Sequence, residues 1–333
     1  MKPLINIVII NYNTGHFLDG CVKSLYAQTY SRREIIFIDN FSSDDSCEFI
    51  KKHFPNIKPT CNKKNLGYAE AANQGIRLAD GKYVMILNPD VILEKSYLEK
   101  CVAKMEEDEK IAAIGGKIYK YDFQHHQKTN IIDTTGLLCY RNRRVVDRGQ
   151  GDQDQGQFNT SEEVFGISGA CPLYRKKALE DVKVNVEFFD KDFFMYKEDV
   201  DMAWRLRLFG WKCFYLATAI GYHVRGTGVL KRSGFFDVAK NRHNLSRFQK
   251  HYSYKNQRLM QIKNEMPRHF LRDFSSICWK EILMTGFMLF REPFLIKSWL
   301  KMLTQIPTIL KKRHYVMQHK RVTANEMQKW FKN

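Results

Sequence analysis

The stretch Tyr83-Val-Met-Ile-Leu-Asn-Pro-Asp-Val-Ile92 decides how the rest of the chain is interpreted. Its first five residues are all apolar or aromatic, which predicts a strand buried on both faces of a parallel sheet. Pro89 has no backbone N–H and cannot continue a central strand, so the chain turns there and Asp90 follows at the carboxyl end. In open α/β sheets that edge binds ligands, and a fixed carboxylate there suits a divalent cation or a sugar hydroxyl. Taken alone, Asn-Pro-Asp is more typical of a simple turn, since all three residue types favour turns.

Short apolar runs and amphipathic segments alternate in the residues before this stretch. Loops of one to six residues join them, which predicts an α/β domain with a mostly parallel central sheet, helices on both faces and right-handed crossovers. The predicted strands are 5–10, 34–38, 57–61 and 83–87, and the predicted helices are 14–26, 43–54 and 69–78.

Polar side chains stand at the carboxyl ends of three of these strands. They are Asn11 and Asn13, then Asp39 and Asn40, then Asn88 and Asp90. Because the carboxyl ends of parallel strands meet at one edge, we expect one shared pocket. The glycine-rich loops that bind phosphate after a first strand are absent from the sequence, so a nucleotide would be held by other means. Asp39 is placed to accept hydrogen bonds from a base or ribose, and capping of the next helix explains it equally well.

The second half of the chain adds further elements and a polar loop. We predict a helix over 96–105, strands over 111–119, 164–174 and 212–223, and an antiparallel pair formed by 131–138 and 144–148. The polar, glycine-rich loop 149–157 is a candidate lid over a site.

A dense group of carboxylates lies among aromatic residues between 188 and 207. The helical pattern begins at Glu198, so Glu198 and Asp199 fall in a first turn, where free N–H groups and the helix dipole stabilise negative charge. The aromatic run just before them indicates a walled pocket and favours a catalytic role for Asp199, whereas Asp201 fits ordinary acidity at a helix start. His223 ends the last strand before a glycine-rich loop, which favours a metal or phosphate ligand.

The charge of the chain is concentrated near its C-terminal end. The 333 residues carry a formal net charge of +18, and residues 255–333 hold 16 Lys and Arg against 5 Asp and Glu. Such a basic region suits nucleic acid or an anionic membrane surface. Carboxylates at the predicted site would repel nucleic-acid phosphates, so we expect no nucleic-acid partner. The longest apolar run there, 282–290, is far below the ~20 residues of a membrane span.

The same region interleaves aromatic and aliphatic residues with Lys and Arg from 274 to 310. One interpretation is that amphipathic helices lie on an anionic membrane, which would serve a lipid-linked acceptor. The alternatives are that these helices pack on the preceding domain or form the contact of a homodimer.

The eight cysteines are scattered without metal-site spacing and are expected to be buried, reduced, small apolar residues. The N-terminal segment is too short and too strand-like for a secretory signal. Both features favour a cytoplasmic protein, peripheral on the inner face of the cell membrane if the amphipathic interpretation holds.

Seven motifs, in this order, resemble the family 2 glycosyltransferases with the GT-A fold, and more narrowly the bacterial rhamnosyltransferase-like branch that builds surface polysaccharides. Each motif is weak alone, and together they are specific for the family but much less so for the sugar. The motifs are Val-Ile-Ile-Asn-Tyr-Asn at 8–13, Ile-Asp-Asn-Phe-Ser-Ser-Asp at 38–44, Asn-Leu-Gly-Tyr-Ala-Glu-Ala-Ala-Asn-Gln-Gly at 65–75, Leu-Asn-Pro-Asp at 87–90, Gly-Ala-Cys-Pro-Leu-Tyr-Arg at 169–175, Glu-Asp-Val-Asp-Met-Ala-Trp-Arg at 198–205, and His223.

The resemblance implies a catalytic GT-A domain over 1–245, with a nucleotide-sugar-binding half (1–92) and an acceptor-binding half (93–245), followed by a basic helical region over 246–333. It implies that Asp199 is the catalytic base with Glu198 beside it, and that Asp90 and His223 hold Mg²⁺ or Mn²⁺. The implied nucleotide-sugar-binding residues are Asn11, Tyr12, Asn13, Asp39, Asn65, Gly67, Asn73 and Asn88. One departure matters, because Asn88 stands where the family's Asp-x-Asp motif has its first carboxylate, and the lost charge weakens cation binding.

The implied activity is inverting transfer of a sugar, rhamnose favoured, from a nucleotide-diphosphate sugar to a glycan or polyprenyl-diphosphate-linked acceptor in O-antigen, capsule or cell-wall biosynthesis. A sugar nucleotidyltransferase is the alternative among enzymes, although it would usually carry a glycine-rich phosphate loop near the first strand. A basic nucleic-acid- or membrane-binding protein without catalysis is the alternative outside enzymes.

Overall fold

A computed structural model describes residues 2–225, 242 and 245–333. The strands are β1 (Ile5–Asn11), β2 (Arg33–Asp39), β3 (Pro59–Cys61), β4 (Tyr83–Leu87), β5 (Val91–Leu93), β6 (Ile111–Asp122), β7 (Gln127–Thr134), β8 (Leu137–Tyr140), β9 (Val145–Asp147), β10 (Glu162–Glu163), β11 (Leu173–Arg175), β12 (Lys212–His223) and β13 (Phe331–Lys332). The helices are α1 (Gly15–Tyr26), α2 (Ser46–His53), α3 (Tyr68–Leu78), α4 (Tyr97–Glu107), α5 (Lys176–Val182), α6 (Glu198–Leu208), α7 (Arg247–Asn264), α8 (Pro267–Arg272), α9 (Phe274–Arg291), α10 (Ile296–His319) and α11 (Ala324–Gln328), with 3₁₀ turns at Lys191–Phe193 and Pro293–Leu295.

The first half of the main sheet is parallel, in the order β3-β2-β1-β4. Asn11 at the end of β1 lies opposite Asp39 at the end of β2, so the carboxyl ends of these strands do meet at one edge. Strand β4 has the bounds predicted from the sequence, and all five of its residues are buried. The parallel prediction is confirmed for this half.

The second half of the sheet is mixed. Strand β11 runs antiparallel between β4 and β6, whereas β6 and β12 are parallel partners. Strands β5 and β10 add to β12 in the antiparallel sense. Strand β12 also has its predicted bounds and ends at His223 beside β5, which follows Asp90 directly.

Two strand predictions were wrong in part. Residues 131–138 do not form one strand, because the chain reverses at Gly136, whose φ of 106° suits glycine; β7 pairs with β6, and β8 pairs with β9. The predicted strand over 164–174 is a strand only at β11, because the backbone before it makes other contacts. Gly166 accepts a hydrogen bond from Leu137, and Gly169 donates one to Asp199.

Helices cover both faces of the sheet, as predicted. Alternate residues of β1 point to opposite sides: Ile7 and Ile9 pack with the buried residues of α1 and α4, and Val8 packs with those of α3 and α6. Gly75 of α3 lies against Val8, where an added Cβ would sit only 2.1 Å from a Val8 methyl carbon. The helix therefore approaches the sheet as closely as its backbone allows.

The cysteine prediction needs a correction. Five cysteines are buried and free, but Cys47 and Cys61 form a disulfide. Cys47 on α2 and Cys61 on β3 are partly and fully exposed, so neither is the buried apolar residue that the composition suggested. Fourteen residues separate them along the chain, and the fold brings their Cα atoms to 6.9 Å. The cysteines therefore give no support to a reducing compartment, and the location stays a prediction.

The C-terminal region is helical, as predicted, and it packs on the α/β domain that precedes it. Helix α7 lies against α6 and α10, and four of its polar residues are fully buried there: Lys255, Asn256, Lys263 and Asn264. Helices α9 and α10 bury one face and expose another, which carries Trp279, Ile282, Leu289, Phe290, Trp299 and Leu300. In the part of the chain that the structure describes, no helix has the length and apolar character required to cross a membrane.

Candidate active site

A cavity of about 510 Å³ opens where β4, β12 and α6 come together. It brings five predicted residues to one place, although their positions in the chain span more than 130 residues: Asn88, Asp90, Glu198, Asp199 and His223. The two carboxyl ends of β4 and β12 supply Asp90 and His223, and the first turn of α6 supplies the carboxylate pair. The shared crevice predicted for Asp90 and Asp199 is therefore present.

Asp90 and His223 form an ion pair at one wall of this cavity. The Nε2 of His223 lies 3.2 Å from Oδ2 of Asp90, and the Nδ1 of His223 lies 2.9 Å from Oδ2 of Asp133. Asp133, fully buried on β7, is also 2.9 Å from Arg225. Arg225 reaches on to Asp147, at 2.7 Å. A continuous chain of opposite charges thus fixes the imidazole ring and the orientation of Asp90.

This arrangement sets the protonation of both groups. Burial alone would lower the pKa of His223, but the Asp90 charge and hydrogen bonds to Asp133 and Asp90 raise that pKa to about 10. Burial alone would raise the pKa of Asp90, yet the His223 charge and hydrogen bond hold it below its usual value. At neutral pH the two groups form an imidazolium–carboxylate pair. A cation that binds Nε2 must displace its proton.

The residues present fit a divalent cation that takes some of its ligands from the protein and the others from a substrate. Across the described ranges, no cluster of three or more His, Cys, Asp or Glu side chains could hold a metal ion. Mg²⁺-type ions are commonly held by one or two protein ligands, with phosphate oxygens and water completing the shell. Asp90 and Nε2 of His223 supply two such ligands on one cavity wall. The bond from Nδ1 to Asp133 is the usual carboxylate support for a metal-binding histidine.

Asp199 faces the same cavity and is held by backbone N–H groups. Its Oδ2 accepts a hydrogen bond from Gly169 N at 3.0 Å, and its Oδ1 accepts one from Val200 N at 2.8 Å. An added Cβ at Gly169 would lie 3.3 Å from the Cβ of Asp199, so a small residue at 169 allows this approach. The motif at 169–175 therefore serves to position the carboxylate of Asp199.

Glu198 is the more isolated member of the carboxylate pair. It is 9% exposed, and its Oε2 is buried without a hydrogen-bond partner among the residues that the structure describes. Burial and the adjacent Asp199 charge raise the pKa of Glu198 to about 8. Burial and the Asp147 charge also raise the pKa of Asp199, but its two N–H bonds oppose that rise. Of the two groups, Glu198 lacks the backbone N–H bonds that stabilise the charged form of Asp199, so its carboxyl is the one that keeps a proton near neutrality.

The segment that leads into α6 has an unusual backbone. Phe194, Tyr196 and Lys197 all have positive φ, at 63°, 70° and 73°, a region that residues with a Cβ rarely adopt. The amide of Asn256 on α7 lies 2.8 Å from the carbonyl oxygens of Phe193, Met195 and Tyr196. This amide holds the segment that places Glu198 and Asp199 at the cavity.

Apart from Asn88, the residues predicted to bind the nucleotide sugar do not line this cavity. Asp39 is 3% exposed; its carboxylate accepts bonds from Asn11 Nδ2 at 2.8 Å and from the backbone and side chain of Ser42. Asn13, in turn, accepts a bond from Ser43 and has a φ of 54°. Asp39 thus shapes the turn after β2, and helix α2 starts later, with Asp45 at its N-cap position. Asp39 does not line the cavity that contains Asp90 and Asp199. The prediction that these three residues share one pocket is therefore wrong for Asp39.

Asn65 and Gly67 lie between the turn after β2 and the segment that leads into α6, whereas Asn73 lies behind that segment. Asn65 Oδ1 accepts bonds from Asn40 and from Gly67 N. Gly67, at φ 82°, leaves no room for a Cβ beside Phe194. Asn73 is fully buried away from the cavity, with both amide atoms bonded at 2.8 Å to the backbone of Phe189. Its amide therefore holds the segment before the aromatic run.

Three contributors were not predicted from the sequence. Tyr68 brings its hydroxyl within 3.2 Å of both the Asn88 side chain and the Gly169 carbonyl. Asp133 and Arg225 complete the ion-pair chain around His223. Arg225, two residues after His223, carried a sequence signal, since it opens the same glycine-rich stretch; Asp133 is a lone acidic residue in a strand and carried none.

Comparisons with known proteins agree with this geometry. Residues 6–183, more than half of the chain, match the family model described as glycosyl transferase family 2. The glycosyltransferase GlyG of Streptococcus pneumoniae serotype 4 is 33% identical over 125 residues, which cover 37% of this chain and 41% of that protein. The poly-beta-1,6-N-acetyl-D-glucosamine synthase of Staphylococcus aureus strain COL is 28% identical over 230 residues, covering 64% of this chain and 50% of that protein. The chain thus spans half or less of the length of these relatives.

Two solved structures share the architecture. GalNAc-T7 with UDP, GalNAc and Mn²⁺ aligns with a TM-score of 0.57 at 15% identity, over 87% of this chain and 58% of that one. The mannosyltransferase PcManGT from Pyrobaculum calidifontis, in complex with GDP-Man and Mn²⁺, aligns with a TM-score of 0.51 at 14% identity, over 92% and 76%. At such identities the likeness concerns the fold alone, and it confirms the GT-A prediction. With more than half of its length matched by the family model, the chain belongs to glycosyltransferase family 2.

Proposed function

We propose that this chain is an inverting glycosyltransferase that moves a sugar from a nucleotide-diphosphate sugar to the hydroxyl group of an acceptor. The observation that carries the proposal is one cavity that contains both an oriented carboxylate, Asp199, and, on a separate wall, the pair of Asp90 and His223. Inversion needs a base on one side of the sugar carbon and charge stabilisation for the leaving diphosphate on the other.

Asp199 is the proposed general base. Its two backbone hydrogen bonds fix the carboxylate and favour its charged form, whereas burial and the Asp199 charge raise the pKa of Glu198 to about 8. A carboxylate is a weak base towards a free alcohol, but the acceptor hydroxyl becomes acidic as its oxygen bonds to the sugar carbon. Base assistance of this kind contributes roughly 10²–10⁴-fold.

Asp90 and Nε2 of His223 are the proposed ligands of Mg²⁺ or Mn²⁺. When bound, such a cation offsets the negative charge that develops on the departing diphosphate. Asp133 keeps the His223 ring in place through Nδ1. The Mn²⁺ named with both structural neighbours supports a divalent cation here. Because Asn88 is uncharged where the family's motif has a carboxylate, we expect the cation to bind weakly until the donor supplies phosphate oxygens.

The nucleotide is proposed to bind beside this wall, against the carboxyl ends of β1 and β2. Tyr12 is 46% exposed there and offers an aromatic face, while Asn13 and Asn65 are accessible polar groups on the same edge. Asn11, Asp39 and Gly67 shape the turns that present them, with Asn73 behind. The UDP and GDP-mannose in the two structural neighbours support a nucleotide-linked donor.

The donor sugar and the pathway are finer proposals. Rhamnose is the first choice because the seven motifs resemble the rhamnosyltransferase-like branch, and surface polysaccharide synthesis is the matching pathway. The similarity to a poly-N-acetylglucosamine synthase supports polysaccharide synthesis and makes an N-acetylhexosamine the competing donor. A thermal-shift screen of dTDP-, UDP- and GDP-sugars discriminates between them.

We also propose that the exposed face of α9 and α10 binds an anionic membrane, where a polyprenyl-diphosphate-linked acceptor would lie. Phe290, Trp279 and Leu300 are 86%, 64% and 59% exposed, and the surrounding region carries a large excess of Lys and Arg. Apolar burial and attraction to anionic lipid act together on such a face. Flotation with anionic and neutral liposomes tests it; no flotation, or a stable dimer that buries this face, would refute it.

Donor binding is the experiment that tests the central proposal. The Asp90→Ala variant and wild type are titrated with the selected nucleotide sugar by calorimetry, with and without Mn²⁺. We expect the variant to lose at least about tenfold in donor affinity and to lose its response to Mn²⁺, because Asp90 would help to hold the cation that offsets the charge of the diphosphate. Asp80→Ala, at an exposed position outside the cavity, is the matched control. An unchanged affinity in Asp90→Ala would assign Asn-Pro-Asp to a turn without a ligand role.

A further inference from the structure

A second cavity, of about 790 Å³, adjoins the catalytic cavity. The two share a wall made of Val146, Asp147 and Gln150. A molecule that fills the second cavity is therefore separated from the catalytic one only by the end of β9 and the start of the loop that follows it. An acceptor in the second cavity would enter the site on the side of Asp199, away from the β1 and β2 edge proposed for the nucleotide.

The lining of the second cavity favours an anion. Three arginines line it: Arg141, Arg144 and Arg148. Arg141 is paired with Asp273 at 2.7 Å, and Arg148 is paired with Glu162 at 2.5 Å. Of the two carboxylates in the lining, Asp147 is already paired with Arg225 at 2.7 Å, and Asp152 is exposed. Guanidinium groups bind phosphate oxygens through several parallel N–H bonds, so this composition suits a phosphate or diphosphate.

Two donors in this lining are unsatisfied. Gln150 is only 7% exposed, and within the described part of the chain its Nε2 has no hydrogen-bond partner. The same is true of one terminal nitrogen of Arg148, whose other nitrogens bond to Thr135 and Glu162. A buried donor without an acceptor costs about 1–3 kcal/mol. Both atoms are closed to solvent in this structure, so a ligand in the cavity would accept hydrogen bonds from them after rotation of the two side chains.

The second cavity also meets the exposed apolar face of the C-terminal helices. Ser276, near the start of α9, is part of its lining. On either side of Ser276 along this helix, Phe274 and Trp279 are 51% and 64% exposed. An apolar chain lying on α9 could thus continue directly into the arginine-lined cavity, with a sugar beyond it at the catalytic cavity.

We propose that the second cavity binds the phosphate groups of a lipid-linked acceptor, with the lipid on the α9 face and the acceptor sugar directed towards Asp199. This assignment rests on the proposed transferase function and adds the place where the acceptor's phosphate groups bind. The cavity binds the phosphate groups. The α9 face binds the lipid chain, and so it favours a lipid diphosphate over inorganic pyrophosphate.

The test uses the full chain in EDTA, so that binding through a cation at Asp90 is suppressed. Farnesyl diphosphate, inorganic pyrophosphate and farnesol are titrated by calorimetry into wild type and two variants. Ser276→Glu adds a carboxylate in the cavity lining. Ser275→Glu adds the same charge one residue earlier on the same helix, at an exposed position outside the lining. Thermal melts check that both variants fold.

We expect wild type to bind farnesyl diphosphate more tightly than pyrophosphate or farnesol. Ser276→Glu should weaken that binding at least about fivefold, the effect of a like charge a few ångströms from a phosphate in a partly screened site, and Ser275→Glu should stay within about twofold. Equal losses in both variants, or no binding by wild type, would overturn the assignment; pyrophosphate bound as tightly as farnesyl diphosphate would overturn its lipid part. The affinity for the nucleotide-sugar donor in the presence of Mn²⁺ is measured on the same proteins and should not change in Ser276→Glu. If the wild-type protein did not bind the donor, that result would count against the transferase proposal instead.

Discussion

Replacing Asn256 with leucine should reduce turnover more than it reduces stability. The Asn256 amide lies 2.8 Å from the carbonyl oxygens of Phe193, Met195 and Tyr196, in the segment that precedes the catalytic pair. Leucine has nearly the same shape and no donor. The substitution thus removes the hydrogen bonds and leaves those carbonyls to find other partners.

The expected magnitude follows from the backbone that Asn256 holds. Three residues with positive φ in this segment store on the order of 1–3 kcal/mol each, and that strain persists only while surrounding contacts enforce it. Loss of buried hydrogen bonds should lower the free energy of unfolding by about 1–3 kcal/mol. Relaxation of the segment would move the start of α6, and a shift of about 1 Å at a catalytic group can cost roughly 10²-fold in rate.

The matched control is Asn264→Leu, in the same helix. Asn264 is also fully buried, and its amide donates to Asp201 Oδ1 at 2.8 Å. Asp201 keeps Lys263 and Arg205 as partners when that amide is lost, so α6 should stay in place. Both variants should be destabilised to a similar degree in urea denaturation.

Release of nucleoside diphosphate from the selected donor is the assay, with donor affinity measured in parallel. We expect kcat to fall at least about tenfold further in Asn256→Leu than in Asn264→Leu, with donor affinity within about threefold of wild type in both. Equal kcat values in the two variants would show that Asn256 contributes only to stability and that the strained segment does not depend on it.

Three further predictions concern the carboxylate pair and the packing of α3. Asp199→Asn should keep donor affinity and lower turnover at least ~10²-fold; near-normal turnover would remove Asp199 from the mechanism. Because the pKa of Glu198 is raised from 4.5 to about 8 in the folded protein, the folded state binds more protons than the unfolded state between these values, so stability should fall as pH rises through that window. Glu198→Gln should flatten this decline in urea titrations between pH 5 and 8, and a wild-type curve that is already flat would contradict the raised pKa. Gly75→Ala should destabilise by about 1–3 kcal/mol, since its Cβ would lie 2.1 Å from Val8, whereas Gly286→Ala, with nothing within 4 Å, should stabilise α9 by about 0.5–1 kcal/mol; thermal melts of equal midpoint would contradict the packing argument.

Local patterns predicted a large part of this fold. Continuous apolar runs placed β1 and β4, because a strand buried on both faces tolerates few polar residues. The apolar run of β2 also placed that strand, although only its last three residues are buried. The pattern failed over 164–174, where the backbone of Gly166 and Gly169 serves other partners than a strand ladder. Apolar composition reports burial, and it does not report which hydrogen bonds a buried backbone makes.

The candidate site likewise depends partly on local sequence and partly on tertiary packing. The sequence alone identified Asp90, Glu198, Asp199 and His223 as candidates, because each stands at a strand end or a helix start, and the carboxyl edge of an open α/β sheet is where ligands bind. Only the tertiary structure decided that Asp39 belongs to a neighbouring turn, that Asp133 orients His223, and that Asn256 holds the approach to α6. Hydrophobic periodicity acts over a few residues and is written in the chain, whereas the distances between side chains more than 60 residues apart exist only after the sheet and its helices have packed.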